Sequence, residues 1–195
     1  MKSKKIFKAT FLVMVITIAS RFLGLIRDSL VAYYFGAGAI TDAYKAAVMV
    51  PETLFTIIGL GVSTVFIPML SKIRYRDSKE KMFEFANNVI GLLIIMSLCI
   101  FVLGNIFTES IVNIIAPGFS KENMELAISL TRISLINLLF MSVNVCFLSM
   151  LQVCEDFVIP SILGMFFNAP IILYLIIFKD VNILGVTIAN VIGNI

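Results

Sequence analysis

The chain has 195 residues, 60% of them hydrophobic and 14% charged, with a formal net charge of +3 and no histidine. Soluble domains are about 45–50% apolar and about 25% charged, so an ordinary soluble domain is excluded, and the small net charge gives no reason to expect a nucleic-acid partner. The missing histidine removes Ser-His and Cys-His catalysis and the intramembrane metalloprotease motif, while Cys99, Cys146 and Cys154 lack metal-ligand spacing. No enzyme, catalytic residue, metal site or cofactor is expected.

The hydrophobicity falls in long runs, which predicts an all-α polytopic membrane protein with about six crossings at roughly 20 residues each. The basic start "MKSKKIFK" leads into span 1, residues 10–35. That run is too long for a signal peptide and has no small-residue cleavage site, so it is read as a retained helix. The turn "GAGAITD" leads to span 2, residues 43–70, which Pro51 and the "GLG" at 59–61 are expected to interrupt. A charged loop, "SKIRYRDSKEK", precedes span 3, residues 85–107. "APGFSKEN" precedes span 4, residues 126–151, and "QVCEDF" precedes span 5, residues 158–178. Span 6, residues 183–195, is only about 20 Å long as a helix. Against a hydrocarbon core of about 30 Å it reads as an incomplete last helix. Residues 1–195 are thus expected to form one transmembrane lobe of something larger. Gly91 and Gly104, with many Ser, Thr and Asn residues, suggest close helix packing. Barrel strands are not expected, because the runs are too long and do not alternate.

Basic residues set the orientation. Lys2, Lys4, Lys5 and Lys8 precede span 1, and Lys72, Arg74, Arg76, Lys79 and Lys81 lie between spans 2 and 3. The opposite side has Lys45, Lys121 and Lys179 in three separate places. The N-terminus is therefore expected to be cytoplasmic.

Span 1 carries Arg21, Arg27 and Asp28 within its apolar run, and span 2 carries Glu52. A charge at membrane depth costs about 2.5–3.5 kcal/mol on insertion scales. Arg21 and Asp28 are one heptad apart and share a face with Gly24, about 10 Å apart along the axis. Arg27 lies roughly 100° around the helix from Asp28. Counting from the turn puts Arg27 and Glu52 at similar depth, so an Arg27–Glu52 pair across spans 1 and 2 is expected. Such charges either glue helices together or line a cavity that holds a polar ligand, and arginine suits phosphate.

"SRFLGLIRDSLVAYYFGAGAITDAY" (20–44) resembles the opening signature of the MviN/MurJ family of bacterial lipid II flippases. "VP" at 50–51, "FIP" at 66–68, "APGF" at 116–119 and "IPSILGMFFN" at 159–168 resemble later landmarks of the same family. The resemblance implies the N-terminal lobe of a MOP-type transporter, a superfamily that includes multidrug exporters. It also implies alternating access around a cavity that accepts a lipid-linked diphosphate sugar (lipid II) in the bacterial cell membrane. Family members have two six-helix lobes, so a C-terminal lobe or a dimer partner is implied as the other half of the cavity. Matched by motif, Arg21 and Arg27 correspond to the arginines proposed to contact the diphosphate, and Asp28 to the acid that orients its neighbour. Ser20 precedes Arg21 as in the family, and Asp42 corresponds to an acid at the outer gate. The sequence departs from the family after Pro51: some members carry an arginine pair there, whereas "ETLFTIIGLG" has no basic residue and adds Glu52. Two other readings stay open. One is an exporter of another lipid-linked glycan or of organic cations; a cation exporter would need Asp28, Asp42 and Glu52 more than the arginines. The other is a non-transporting membrane subunit or a truncated remnant.

Overall fold

The computed structural model describes residues 2–195, with side chains described for Phe7 and from Thr10 onward. The regular elements among these residues are helices: α1 (Lys2–Phe35), α2 (Ala39–Arg76), α3 (Lys79–Ile106), α4 (Thr108–Ile115), α5 (Lys121–Ser134), α6 (Asn137–Val153), α7 (Val158–Ile177) and α8 (Ile183–Asn194). Five stretches are long and apolar enough to cross a membrane: Thr10–Phe35, Ala39–Arg76, Lys79–Ile106, Lys121–Val153 and Val158–Ile177. The apolar helix α8 is shorter. The chain is therefore an all-α polytopic membrane protein.

Helix α1 stops at Gly36, whose φ of 73° is a left-handed conformation that glycine adopts without steric cost. The Thr41 hydroxyl donates to the Gly36 carbonyl at 2.6 Å, which ties the start of α2 to this turn. The expected interruption of the second span does not occur, because α2 runs unbroken through Pro51 and Gly59 to Arg76. In hydrocarbon an unpaired backbone group is costly, which favours an unbroken helix over a gap. The charged segment after it is also largely helical rather than a loop. α2 extends to Arg76 and α3 begins at Lys79, with the Ser78 hydroxyl accepting from the Lys81 N–H at 3.3 Å as an N-cap. Lys, Arg and Glu are good helix formers, so their charge marks where the helix leaves the apolar layer and not where it ends.

The fourth span is two helices, α5 and α6, broken at Leu135–Ile136. The bonds Ile136 N–H to Ile133, Leu138 N–H to Leu135 and Leu139 N–H to Ile136 (3.2, 3.1 and 3.1 Å) each reach back three residues. The chain is wound more tightly there, as in a 3₁₀ turn. Helix α4 occupies a stretch between spans that had no predicted element.

Helix α1 lies chiefly against α7, and α2 lies against α5 and α6; α8 packs on α7, and α3 on α6. Near the α1–α2 turn, Val31, Tyr44, Leu130, Ile171, Leu175 and Val186 form one buried cluster. Toward the other end, Phe66, Leu70, Met82, Ala86 and Cys146 form a second. There the Arg74 guanidinium donates to the Val153 carbonyl. The Ser97 and Ser142 hydroxyls bond each other between α3 and α6. Gly104 does serve close packing, since a Cβ there would come within 3.2 Å of Leu135. Gly91 does not, having nothing within 4 Å of a Cβ. The large exposed side chains, among them Phe11, Phe22, Ile57, Val65 and Ile95, clothe the outer surface. Hydrocarbon solvates such a surface as well as a protein core would.

Candidate functional site

Helix α1 presents Ser20, Arg21, Gly24, Leu25, Arg27 and Asp28 along one stripe, at the spacing that keeps residues on one helix face. α6 presents Met141, Asn144, Val145 and Leu148 at the same spacing, and α7 presents Gly164, Phe167 and Asn168. With Glu52 and Phe55 of α2 and Asn190 and Asn194 of α8, these stripes wall a cavity of about 750 Å³. Its size is within the usual range for a site that holds a small organic ligand or headgroup.

The cavity exists because α1 and α2 part company after their tight turn. α1 leans on α7 and α2 on α5 and α6, so the two touch little. Close approach on the α7 side seals the wall: a Cβ on Gly164 would sit 2.5 Å from the Ser20 hydroxyl. A Cβ on Gly24 would meet the Asn168 side-chain oxygen at 3.9 Å. At the bottom of α8, a Cβ on Gly193 would come within 2.7 Å of the Phe167 carbonyl oxygen.

The structure brings together four of the charged residues singled out in the sequence: Arg21, Arg27, Asp28 and Glu52 all line this cavity, together with Ser20. Their pairing differs from the expectation. Arg27 Nε and Nη2 both donate to Asp28 Oδ1, at 2.9 and 2.8 Å. Arg27 is therefore not turned away from Asp28; its long side chain folds back to its neighbour. Arg27 forms no ion pair with Glu52. The reason is the divergence of α1 from α2, which leaves open space between residues that counting from the turn had placed opposite one another. The start of α2 at Ala39, four residues before the predicted start, also carries Glu52 about 6 Å deeper than that count assumed. Among the described residues, Arg21 and Glu52 have no side-chain partner in an ion pair. Asp42 is exposed in the first turn of α2, apart from the cavity, where the helix dipole favours an acid.

Four polar wall residues were not picked out in the sequence: Asn144, Asn168, Asn190 and Asn194. The signal was present, because amides inside apolar helices seek partners, and Asn190 and Asn194 sit one turn apart on a common face. Asn194 donates to the Asn190 carbonyl at 2.9 Å, Asn144 to the Asn194 carbonyl at 3.2 Å, and Asn168 to the Gly164 carbonyl at 2.8 Å. Behind this wall the buried Asn137 donates from Nδ2 to Asn190 Oδ1 at 2.8 Å, while its own Oδ1 has no partner. Asn190→Leu should destabilise the fold by about 1–3 kcal/mol, because it strands the whole Asn137 amide. Replacing both partners can be nearly neutral, so the Asn137→Leu/Asn190→Leu double variant should melt above the single one. A double variant that melts lower than Asn190→Leu would show that the pair is not what Asn190 supplies.

A polar chamber walled by charged and amide side chains, within a bundle of membrane-length helices, defines a polytopic helical membrane protein with an intramembrane cavity suited to a polar ligand. The family model described as "Lipid II flippase MurJ" matches residues 31–195. The "Probable lipid II flippase MurJ" of Aquifex aeolicus is 33% identical over 193 residues, covering 97% of this chain and 38% of that protein. Its counterpart in Buchnera aphidicola subsp. Baizongia pistaciae is 35% identical over 173 residues, covering 87% of this chain and 34% of that one. A solved structure, "Lipid II flippase MurJ, inward closed conformation", matches with a TM-score of 0.81 at 31% identity, over 94% of this chain and 39% of that chain. The chain belongs to the lipid II flippase MurJ family. It spans little more than a third of the length of these relatives.

Proposed function

We propose that this chain is the N-terminal lobe of a transporter, not an enzyme, that flips a lipid-linked diphosphate sugar of the lipid II class from the inner to the outer leaflet of a bacterial cell membrane. The observation that carries the reading is the placement of Arg21 and Arg27 on one cavity wall, six residues and thus about 9 Å apart along α1. In this reading the two arginines take the diphosphate. Asp28 fixes the Arg27 guanidinium by accepting from both Nε and Nη2, which leaves its Nη1 edge for a ligand oxygen. Ser20 and the wall asparagines offer hydrogen bonds to the sugar, and Asp42 sits at the outer end as a gate residue. A second lobe, or a second copy of this one, closes the cavity from the open side. The lysines and arginines at the N-terminus and around the α2–α3 turn support a cytoplasmic location for both.

A second reading has its own support: Asp28 and Glu52 stand in the same cavity and would suit an organic cation. Growth of a conditional flippase-depleted bacterium carrying the full-length protein separates the two. Loss of rescue with Arg21→Ala and with Arg27→Ala supports the diphosphate reading. Full rescue by both arginine variants, with loss only for Asp28→Ala and Glu52→Ala, favours the cation reading.

A further inference from the structure

The large cavity continues toward the α1–α2 turn into a smaller cleft of about 180 Å³. Arg27, Asp28, Glu52 and Asn190 line both spaces, and the cleft adds Tyr44 and Lys45 from α2. Lys45 entered the sequence reading only as a charge near a loop, yet it faces this interior. It lies two helical turns before Glu52 on the same face of α2. It is six residues after Ala39, and Arg27 is eight residues before Phe35. Their backbones thus lie about 9 and about 12 Å from the turn, on opposite walls at nearly the same depth.

The cleft holds two cations and two anions, Arg27, Lys45, Asp28 and Glu52. Arg27 and Asp28 form a neutral couple. Among the described residues Lys45 has no ion-pair partner. The Lys45 side chain is exposed, and the unpaired Glu52 stands two turns deeper on α2, so near the turn the ammonium is open to an anion that enters the cleft. We propose that Lys45 is a specificity-determining residue of the substrate site, the cation on the α2 wall that takes the second phosphate of a lipid-linked diphosphate whose first phosphate is held by Arg27. This rests on the diphosphate reading above and names a residue that reading does not use. The chemistry suits the two walls: Arg27 offers a fixed guanidinium edge, and Lys45 offers a mobile point charge that follows the ligand. A monophosphate presents one charged centre and engages one wall. A diphosphate presents two and bridges α1 to α2, helices that otherwise touch little.

The test is equilibrium binding of a polyprenyl diphosphate and the matching monophosphate to the full-length protein in detergent. Lys45→Met should weaken diphosphate binding about tenfold, the scale of one charge-assisted hydrogen bond, and monophosphate binding less than about twofold. Lys45→Arg should restore the discrimination, and thermal melting checks that each variant is folded. Equal weakening of both ligands by Lys45→Met would overturn the proposal. So would unchanged diphosphate binding in Lys45→Met when Arg27→Met has lost it, which would leave the diphosphate reading standing. Unchanged diphosphate binding in both variants would sink the two readings together. Displacement of the lipid by equimolar inorganic diphosphate would overturn the assignment to a lipid-linked ligand.

Discussion

Arg27→Ala should weaken binding of lipid II to the full-length protein by about 10–100-fold, the free-energy equivalent of losing one charge-assisted hydrogen bond to an anion. Arg27→Lys should recover little of it. The reason lies in how the side chain is held. Two of its nitrogens are spent on one carboxylate oxygen, Asp28 Oδ1 at 2.8 and 2.9 Å, and that fork sets the direction of the remaining edge. An ammonium is a single point of charge and cannot hold Asp28 and a phosphate in one fixed plane. Asp28→Asn should give a smaller loss with a different character. The guanidinium keeps its charge, so steering of the anion survives, but its orientation is no longer fixed. If Arg27→Lys binds as tightly as the wild type, the planar fork is not what the site uses. If Asp28→Asn binds as poorly as Arg27→Ala, Asp28 does more than orient its neighbour.

The second large effect concerns the wall behind the ligand. Gly193→Ala should destabilise the protein by about 1–3 kcal/mol, the usual range for forcing a methyl into a packed contact. Its Cβ would meet the Phe167 carbonyl oxygen at 2.7 Å and the Phe167 carbonyl carbon and Cα at 3.3 Å. These are backbone atoms, so no rotamer change relieves the contact, and α7 and α8 must separate. Gly61→Ala is the control: it lies in α2, and nothing comes within 4 Å of its Cβ. Removing a glycine from a helix interior there should stabilise by roughly 0.5–1 kcal/mol. Thermal melting in one detergent reads both. A Gly193→Ala protein that melts with the wild type would mean that α7 and α8 are not as closely set as these distances say. Because Asn190 and Asn194 share α8 with Gly193, the same substitution should also lower lipid II binding.

The fold class was legible because the period and length of apolar runs report on the solvent around a helix. Where a run ends, hydropathy reports the edge of the apolar layer and not the end of hydrogen bonding. That is why α2 and α3 continue through charges that looked like a loop, leaving only Asp77 and Ser78 between them. The break at Leu135–Ile136 had no signal of this kind, since it involves neither proline nor glycine. It is a tightening of three backbone bonds beside the buried Ser134 and Asn137. The charged members of the site stood out because ionised groups are rare in apolar helices. The asparagines were harder to separate from packing residues, since an amide serves either use. The Arg27–Glu52 pairing failed for a different reason. Counting from a turn gives depth along two helices, but not the distance between them once each leans on a different neighbour.

The ligand is expected to enter the cavity between α1, α2, α6, α7 and α8. The most direct measurement is photocrosslinking of the full-length protein with a lipid II analogue whose reactive group sits beside the diphosphate, with the adducts mapped by mass spectrometry. Adducts are expected on the α1 stripe from Ser20 to Asp28 and on the α8 face at Asn190 and Asn194, reduced in Arg21→Ala and Arg27→Ala proteins. Adducts confined to the apolar groove between α2 and α3, around Ile57, Val65 and Met96, and insensitive to those substitutions would contradict it.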